Sequence, residues 1–313
     1  MDALAGLLDG PRARGALLLR TVLDAPWSMR VQDRAPLTLV ALLRGHAWVW
    51  RNGEEPVRAD AGDILLVRGP DPYFVADVPG RRPDIIVYPN GRCATLDGRP
   101  LHDALMLGVR TWGNDPDGAH QMLVGTYQMD GEISRRLLEA LPPLVVMPAG
   151  AVDTPLVGLL GAEMAVDRPG QQVMLDRLLD LLLITVVRAW FDRAGQAAPA
   201  WYRAHADPVV GRALRLIHDD PAHPWTVASL AARTGVSRAA LARRFAALVG
   251  EPPMTYLTGW RLALAADLLR EPDATVEGVA RRVGYSTPFA LSAAFKRVRG
   301  VSPREFRARA LAG

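Results

Sequence analysis

Two hydrophobic periodicities divide the 313-residue chain. From Gly15 to about Met129, apolar residues come in short runs: 17–19, 37–43, 47–50, 64–67, 85–88 and 121–128. Turn residues separate them, as at Asn52-Gly53 and Gly69-Pro70-Asp71-Pro72. Many short strands at this spacing predict a closed or sandwiched all-β domain. Residues 1–14 are expected to lead in as a short helix. Beyond Met129 the spacing becomes helical. A helix over 132–140 breaks at Leu141-Pro142-Pro143, and Thr154-Pro155 caps a second that runs to about Val166. A longer helix over about 171–193 carries Leu178, Leu179, Leu182 and Val186 among apolar residues that cover more than one face. Such a helix must bury two sides. One packs on its own domain and the other is expected to pair with a second copy; the alternative is burial wholly within its own chain.

Further on, TVASLAARTGVSRAALARRFAALVG (226–250) has the grammar of a helix-turn-helix. Val227, Leu230 and Ala231 share one side of a short helix, and Gly235 suits a left-handed turn. Ser237 is placed to cap a second helix with Leu241, Phe245 and Leu248 inward and Arg238, Arg243 and Arg244 outward. Alone, the segment reads equally as a basic helical hairpin. A second copy shifts the balance. An offset of 49 aligns Val227 with Val276, Gly235 with Gly284 and Ser237 with Ser286. After one inserted residue, an offset of 50 aligns Leu241 with Leu291, Phe245 with Phe295 and Gly250 with Gly300. A long helix over about 253–269 joins the copies. Two such units can enter successive major-groove faces, about 34 Å apart.

With PWTVASLAARTGVSRAALARRF, GEPPMTYLTGWRLALAADLL, VARRVGYSTPFALSAAFKR and GVSPREFR in this order, residues 207–310 resemble the DNA-binding domain of AraC/XylS transcription regulators. The resemblance carries the family's base-reading positions onto Ala239, Ala242 and Arg243, and in the second copy onto Pro288, Phe289, Ala290, Ser292 and Ala293, beside Ser286 and Thr287 at the helix start. Arg243 is suited to bidentate contact with guanine. Arg238 and Arg244 are expected on phosphate. Ala293 stands where many relatives carry arginine, so the second unit is expected to anchor on the backbone through Ser292, Lys296 and Arg297.

Upstream, LLRGHAWVWRNGEEPVRADAGDILLVRGPDPYFVAD (42–77) resembles a cupin barrel, with Gly45, Gly53 and Gly62-Asp63 at its turns. Metal-binding cupins carry His-x-His before the first glycine and a later histidine. Here no histidine stands in that stretch before Gly45, and Tyr73 occupies the later place. Neither a metal nor another cofactor is expected, and an enzyme reading is set aside. If the domain senses a small-molecule effector, His46, Trp48 and Trp50 alternate on one strand and share a face, with Tyr73 and Tyr127 on other strands. The alternative packs that face as core or under a helix. His102, Trp112 and His120 are candidates for the rim of an opening.

The fold class expected is a two-domain α+β chain. A cupin-like β-barrel occupies 1–140, a helical dimerisation and linker region 141–204, and an all-α double helix-turn-helix domain 205–313. Charge supports the division: from His205 onward there are 16 Lys+Arg against 9 Asp+Glu, and before it 21 against 24. The basic part is the one that must meet phosphate. Cys93, beside Arg92, is the only cysteine, so no internal disulfide forms and a reducing cytoplasm is the expected home. It reads as an inert buried thiol or, with a cation beside it, as a redox switch. No signal segment or bilayer-spanning run stands out. The expected function is transcription regulation on operator or promoter DNA, with activation among the possible outcomes. A homodimer, RNA polymerase and an effector are the other expected partners. The alternatives are a cupin-like enzyme and a constitutive DNA binder whose barrel only dimerises.

Overall fold

The computed structural model describes residues 18–127, 131–152 and 155–312. The expected leading helix over 1–14 and the Thr154 cap lie outside them. Contacts divide the chain into two units, residues 18–127 with 138–193 and residues 131–137 with 194–312.

The first unit is built on β1 (Leu18–Leu23), β2 (Ser28–Val31), β3 (Leu37–Arg44), β4 (His46–Arg51), β5 (Val57–Asp60), β6 (Ile64–Arg68) and β7 (Tyr73–Ala76). It continues with β8 (Ile85–Val87), β9 (Cys93–Ala94), α1 (His102–Leu105), β10 (Met106–Gly108), β11 (Thr111–Gly113), β12 (His120–Tyr127) and β13 (Leu144–Met147). One sheet runs β10-β11-β1-β12-β3-β6-β13 and the other β5-β4-β7-β2-β8-β9. The expected barrel is thus realised as two facing sheets, with no closed ring of strands among the described residues. Strand β13, beyond the break at Pro142-Pro143, pairs antiparallel with β6, so the sandwich draws on residues past the expected edge at 140.

Alternate residues of both sheets meet in one core. Val40, Leu42, Leu65, Val67 and Met122 come from the first sheet, and Met29, Val31, Ala47, Val49, Tyr73 and Val75 from the second. This is the period-two pattern of a pleated strand. Strands β3 and β12 are buried on both faces, because the back of the first sheet carries a helix. After α3 (Leu156–Met164), α4 (Gln171–Ala194) buries Leu175, Leu178, Leu179, Leu182, Leu183, Val186, Val187 and Phe191. A Cβ on Gly125 would come within 2.7 Å of a Leu179 methyl, so the bare backbone of β12 lets the helix seat closely. Next to it the Tyr127 hydroxyl donates to the Leu179 carbonyl at 2.8 Å.

These contacts correct the choice of residues for a contact with a second copy. Leu178, Leu179, Leu182 and Val186 are buried within their own chain, while Val173, Met174 and Leu181 of the same helix are exposed. The apolar girth of the helix is real. Its central stripe is consumed by its own unit, and only the residues beside that stripe are left outside.

The second unit begins with α2 (Glu132–Glu139), resumes after α4, and is wholly helical among its described residues. Residues 195–206, at the end of the expected dimerisation and linker region, are wound into short turns around α5 (Ala200–Arg203), with Ala198 and Ala204 buried. Then follow α6 (Val210–Asp219), α7 (Val227–Thr234), α8 (Arg238–Val249), α9 (Pro253–Leu268), α10 (Val276–Arg282), α11 (Pro288–Arg299) and α12 (Pro303–Ala312). Helix α9 serves two cores. Its first half carries the buried Tyr256, Leu257 and Trp260 toward α6 and α8, where Leu214, Ile217, Leu241 and Phe245 are also buried. There the His218 Nε2 and Tyr256 hydroxyl are 2.8 Å apart, and Phe245 meets Tyr256 edge-on. Its second half brings Leu262, Ala265 and Ala266 to Val279, Ala280, Leu291 and Phe295. Among the described residues no helix is long and apolar enough to cross a membrane.

Helix α2 joins this unit through charge. The Asp267 carboxylate accepts the Glu132 and Ile133 N–H groups at 2.5 and 3.1 Å, where the positive end of the α2 dipole lies. Glu132 pairs with Arg299 at 3.0 Å and Arg135 at 2.6 Å. Burial by itself would raise the Glu132 carboxyl; the two guanidiniums outweigh it and hold it below its ordinary value.

Two outcomes are expected. Tyr127→Phe removes one buried hydrogen bond without opening a cavity, and a denaturant titration of the full chain should show the sandwich destabilised by about 1 kcal/mol. Because the Glu132 pKa is lowered on folding, its ion pairs stabilise the fold above the ordinary glutamate value of 4.5 and lose that effect as pH falls through the lowered value. Melting curves between pH 5 and about 3 should therefore fall more steeply for the parent than for Glu132→Gln.

Candidate functional site

The two helix-turn-helix units arise from local capping chemistry. Thr226 and Ser229 form a reciprocal capping box at the start of α7. Gly235 closes that helix at φ 74°, a left-handed geometry that a side chain would resist. Ser237 accepts the Ala240 N–H at 3.2 Å and opens α8. In the second unit Thr275 caps α10 and Thr287, not Ser286, caps α11, accepting the Ala290 N–H at 3.1 Å. The extra residue of the second copy therefore lies in its turn, and Thr287 is the structural counterpart of Ser237. Pro288 at the first helical position makes Thr287 the cap. That signal stood in the sequence, and the 49-residue alignment passed over it.

Outward from these helices, Ser237, Arg238, Ala239, Arg243 and Arg244 are exposed and Ala242 is half-buried. On α11, Pro288, Ala293, Lys296 and Arg297 are exposed and Ala290 is half-buried. Ser286 and Thr287 are exposed ahead of it. Phe289 has 83% of its surface open. The Ser292 hydroxyl donates to the Pro288 carbonyl at 2.8 Å, which leaves only its lone pairs for another partner. Arg244 differs from its neighbours. Its Nε and a terminal nitrogen reach one oxygen of Asp207 at 2.8 and 2.6 Å, while the other oxygen caps α6 through the Val209 and Val210 N–H groups. Arg244 thus ties α8 to the start of α6, and contact with phosphate would require it to leave Asp207. Arg238 and Arg243 form no ion pair with a described residue. Sequence reasoning missed the Asp207 pairing because the two residues lie 37 positions apart.

The sandwich holds a second candidate site, a cavity of about 190 Å³ between the sheets. Tyr73 lines it, as do His102 and Trp112. His46, Trp48, Trp50 and Tyr127 do not. Ala47 and Val49 take the inner face of β4, so the pleat turns Trp48 and Trp50 to the outer face, where Trp50 stacks on Phe74 at 5.4 Å, while His46 at the strand's start reaches His120 of β12. Tyr127 faces α4 instead. His120 is buried against Trp27 and His46 and rims no opening. Cys93 lines the cavity, with burial pushing its thiol up to about 11. The neighbouring Arg92 guanidinium lies over the Tyr88 ring instead. The thiolate that a redox switch needs is therefore disfavoured. Among the described residues no three His, Cys, Asp or Glu side chains gather as a metal would require.

Comparison with known proteins agrees with this division. A family model described as cupin matches residues 2–192, and one described as helix-turn-helix domain matches residues 230–309. The chain is 34% identical to a putative AraC-like transcription regulator of Streptomyces lividans, with 98% of each chain covered. It is 33% identical to one of Streptomyces antibioticus, again over 98% of each. It is 29% identical to the HTH-type transcriptional regulator AlkR of Acinetobacter baylyi, over 98% of this chain and 99% of that one. The chain belongs to the AraC-like family of DNA-binding transcription regulators, with a cupin-like N-terminal domain ahead of its helix-turn-helix domain.

Proposed function

We propose that this regulator grips its operator with two unequal heads. The first, α8, reads bases through Arg243 with Arg238 on phosphate. The second, α11, anchors on the backbone through Lys296 and Arg297 and presents Phe289 as its apolar contact. The observation that carries this reading is the sharing of α9 between the two cores, which ties α8 and α11 to one helix. Arginine can bind guanine O6 and N7 bidentately, whereas a phenyl ring can meet only an apolar group such as the thymine methyl. Lysine and arginine on phosphate add affinity without sequence information.

Control by a small molecule in the sandwich cavity is part of the proposal, because a concave, mostly apolar space between the two sheets gives a ligand somewhere to act. Pairing of two copies is also part of it. The exposed Val173, Met174 and Leu181 of α4 are the apolar residues available for that contact.

The test begins with operator sequences selected from random duplex DNA by the full chain. Protection should extend over two successive major-groove faces, and a footprint of one turn would overturn the two-headed reading. On the selected operator, Arg243→Ala should cost about 1–3 kcal/mol and relax discrimination at one base position. Lys296→Ala should weaken matched and mismatched duplexes alike and reduce the salt slope by about 1. Identical behaviour of the two variants on matched and mismatched duplexes would refute the division of labour.

A further inference from the structure

The sandwich cavity has a lining chemistry specific enough to define what fits it. Its walls are the inner-face residues of β2, β3, β7 and β12, with Val40, Val75, Met122 and Val124 among them. Its volume of about 190 Å³ is well below the several hundred Å³ that enclose a drug-sized ligand. It exceeds the roughly 150 Å³ of an engineered apolar cavity that takes up benzene. A single ring with one small substituent, or an aliphatic molecule of similar bulk, fills such a space. His102 and Met106 are exposed members of the lining and mark the side from which a ligand enters.

Three polar features select the ligand's charge and functional group. The Trp112 indole N–H is buried, its residue 4% exposed, and has no hydrogen-bond partner among the described residues. An unsatisfied buried donor is costly, and an entering acceptor relieves it. No lysine or arginine lines the cavity, and Asp33 does. A carboxylate or phosphate would shed its water, find no lysine or arginine and face a like charge, the imidazole of His102 being exposed at the mouth. An ammonium group could meet Asp33, yet it offers no lone pair and would leave the Trp112 donor unpaired. The Asp33 carboxylate, moreover, already accepts the Ala35 N–H at 3.0 Å.

We propose that the cavity binds a compact neutral molecule, of about one ring's bulk, whose single oxygen accepts a hydrogen bond from Trp112. This names the class of effector for the sensor role proposed above and rests on that role for its consequence at DNA. Binding itself is tested without DNA, so the two can fail separately.

Four probes of similar shape decide it on the full-length chain by calorimetry at pH 7: benzyl alcohol, toluene, benzoate and benzylamine. Benzyl alcohol should bind tightest, toluene about tenfold more weakly for want of the acceptor, and the two ions not measurably. Trp112→Phe keeps a ring in the wall and removes the donor, so it should bring benzyl alcohol down to the affinity of toluene while toluene binding holds. Val124→Phe should fill the space and abolish both, with an unchanged far-UV circular dichroism spectrum and a cooperative melting transition showing that the chain is folded. Should Val124→Phe not fold, Trp112→Phe alone decides. Equal affinity for benzyl alcohol and toluene, preference for either ion, or no binding of any probe up to its solubility would overturn the proposal. Binding of benzyl alcohol in the expected order with no change in operator affinity would uphold it and refute the effector role.

Discussion

The DNA-binding unit depends on one helix belonging to two hydrophobic cores. Helix α9 is 16 residues long, about 24 Å at the usual rise. Along that length its buried residues change partners. Tyr256, Leu257 and Trp260 complete the core behind α8, and Leu262, Ala265 and Ala266 complete the core behind α11. Neither core can be assembled without it, so neither recognition helix can move independently of α9 without exposing buried aromatic or aliphatic surface. Exposing that surface costs about 25 cal/mol for each Å², which ties both helical units to α9.

The same logic of double use governs the sandwich. Strands β3 and β12 are buried on both faces, and the two faces have different duties. Met122, Val124 and Thr126 face the cavity, while Gly125 and Tyr127 of the same strand meet α4 at Leu179. A change in what fills the cavity therefore bears on the strand that seats the helix, since packed interiors transmit small displacements.

Carboxylates do much of the positioning in the basic unit. Asp207 holds Arg244 and the start of α6, and Glu132 and Asp267 hold α2 through Arg299 and the free N–H groups of its first turn. Each engages a cation or a helix end within the unit. Net positive charge overstates the number of hooks offered to DNA: of the three arginines on the outer side of α8, two are unengaged by other described residues and one is a structural tie.

The sequence by itself determined the features that depend on near neighbours. Glycine at the helix ends, Thr and Ser caps, and apolar residues at i and i+4 are satisfied within a turn or two. Hence the paired helix-turn-helix units and the shared helix between them were legible, and so was the string of short strands. Even the cap at Thr287 was legible, through the proline that follows it. Tertiary structure decided which face of each element turns inward. Alternation places His46, Trp48 and Trp50 on one side of β4 and Ala47 and Val49 on the other, and a period of two is equally satisfied either way up. The core between the sheets took the smaller pair, Ala47 and Val49. Likewise the girth of α4 is written in its leucines, yet only the sheet behind it, opened at Gly125, settled that Leu178, Leu179, Leu182 and Val186 belong to the interior. Local chemistry is fixed by spacing along the chain. Facing is fixed by what arrives from a hundred residues away.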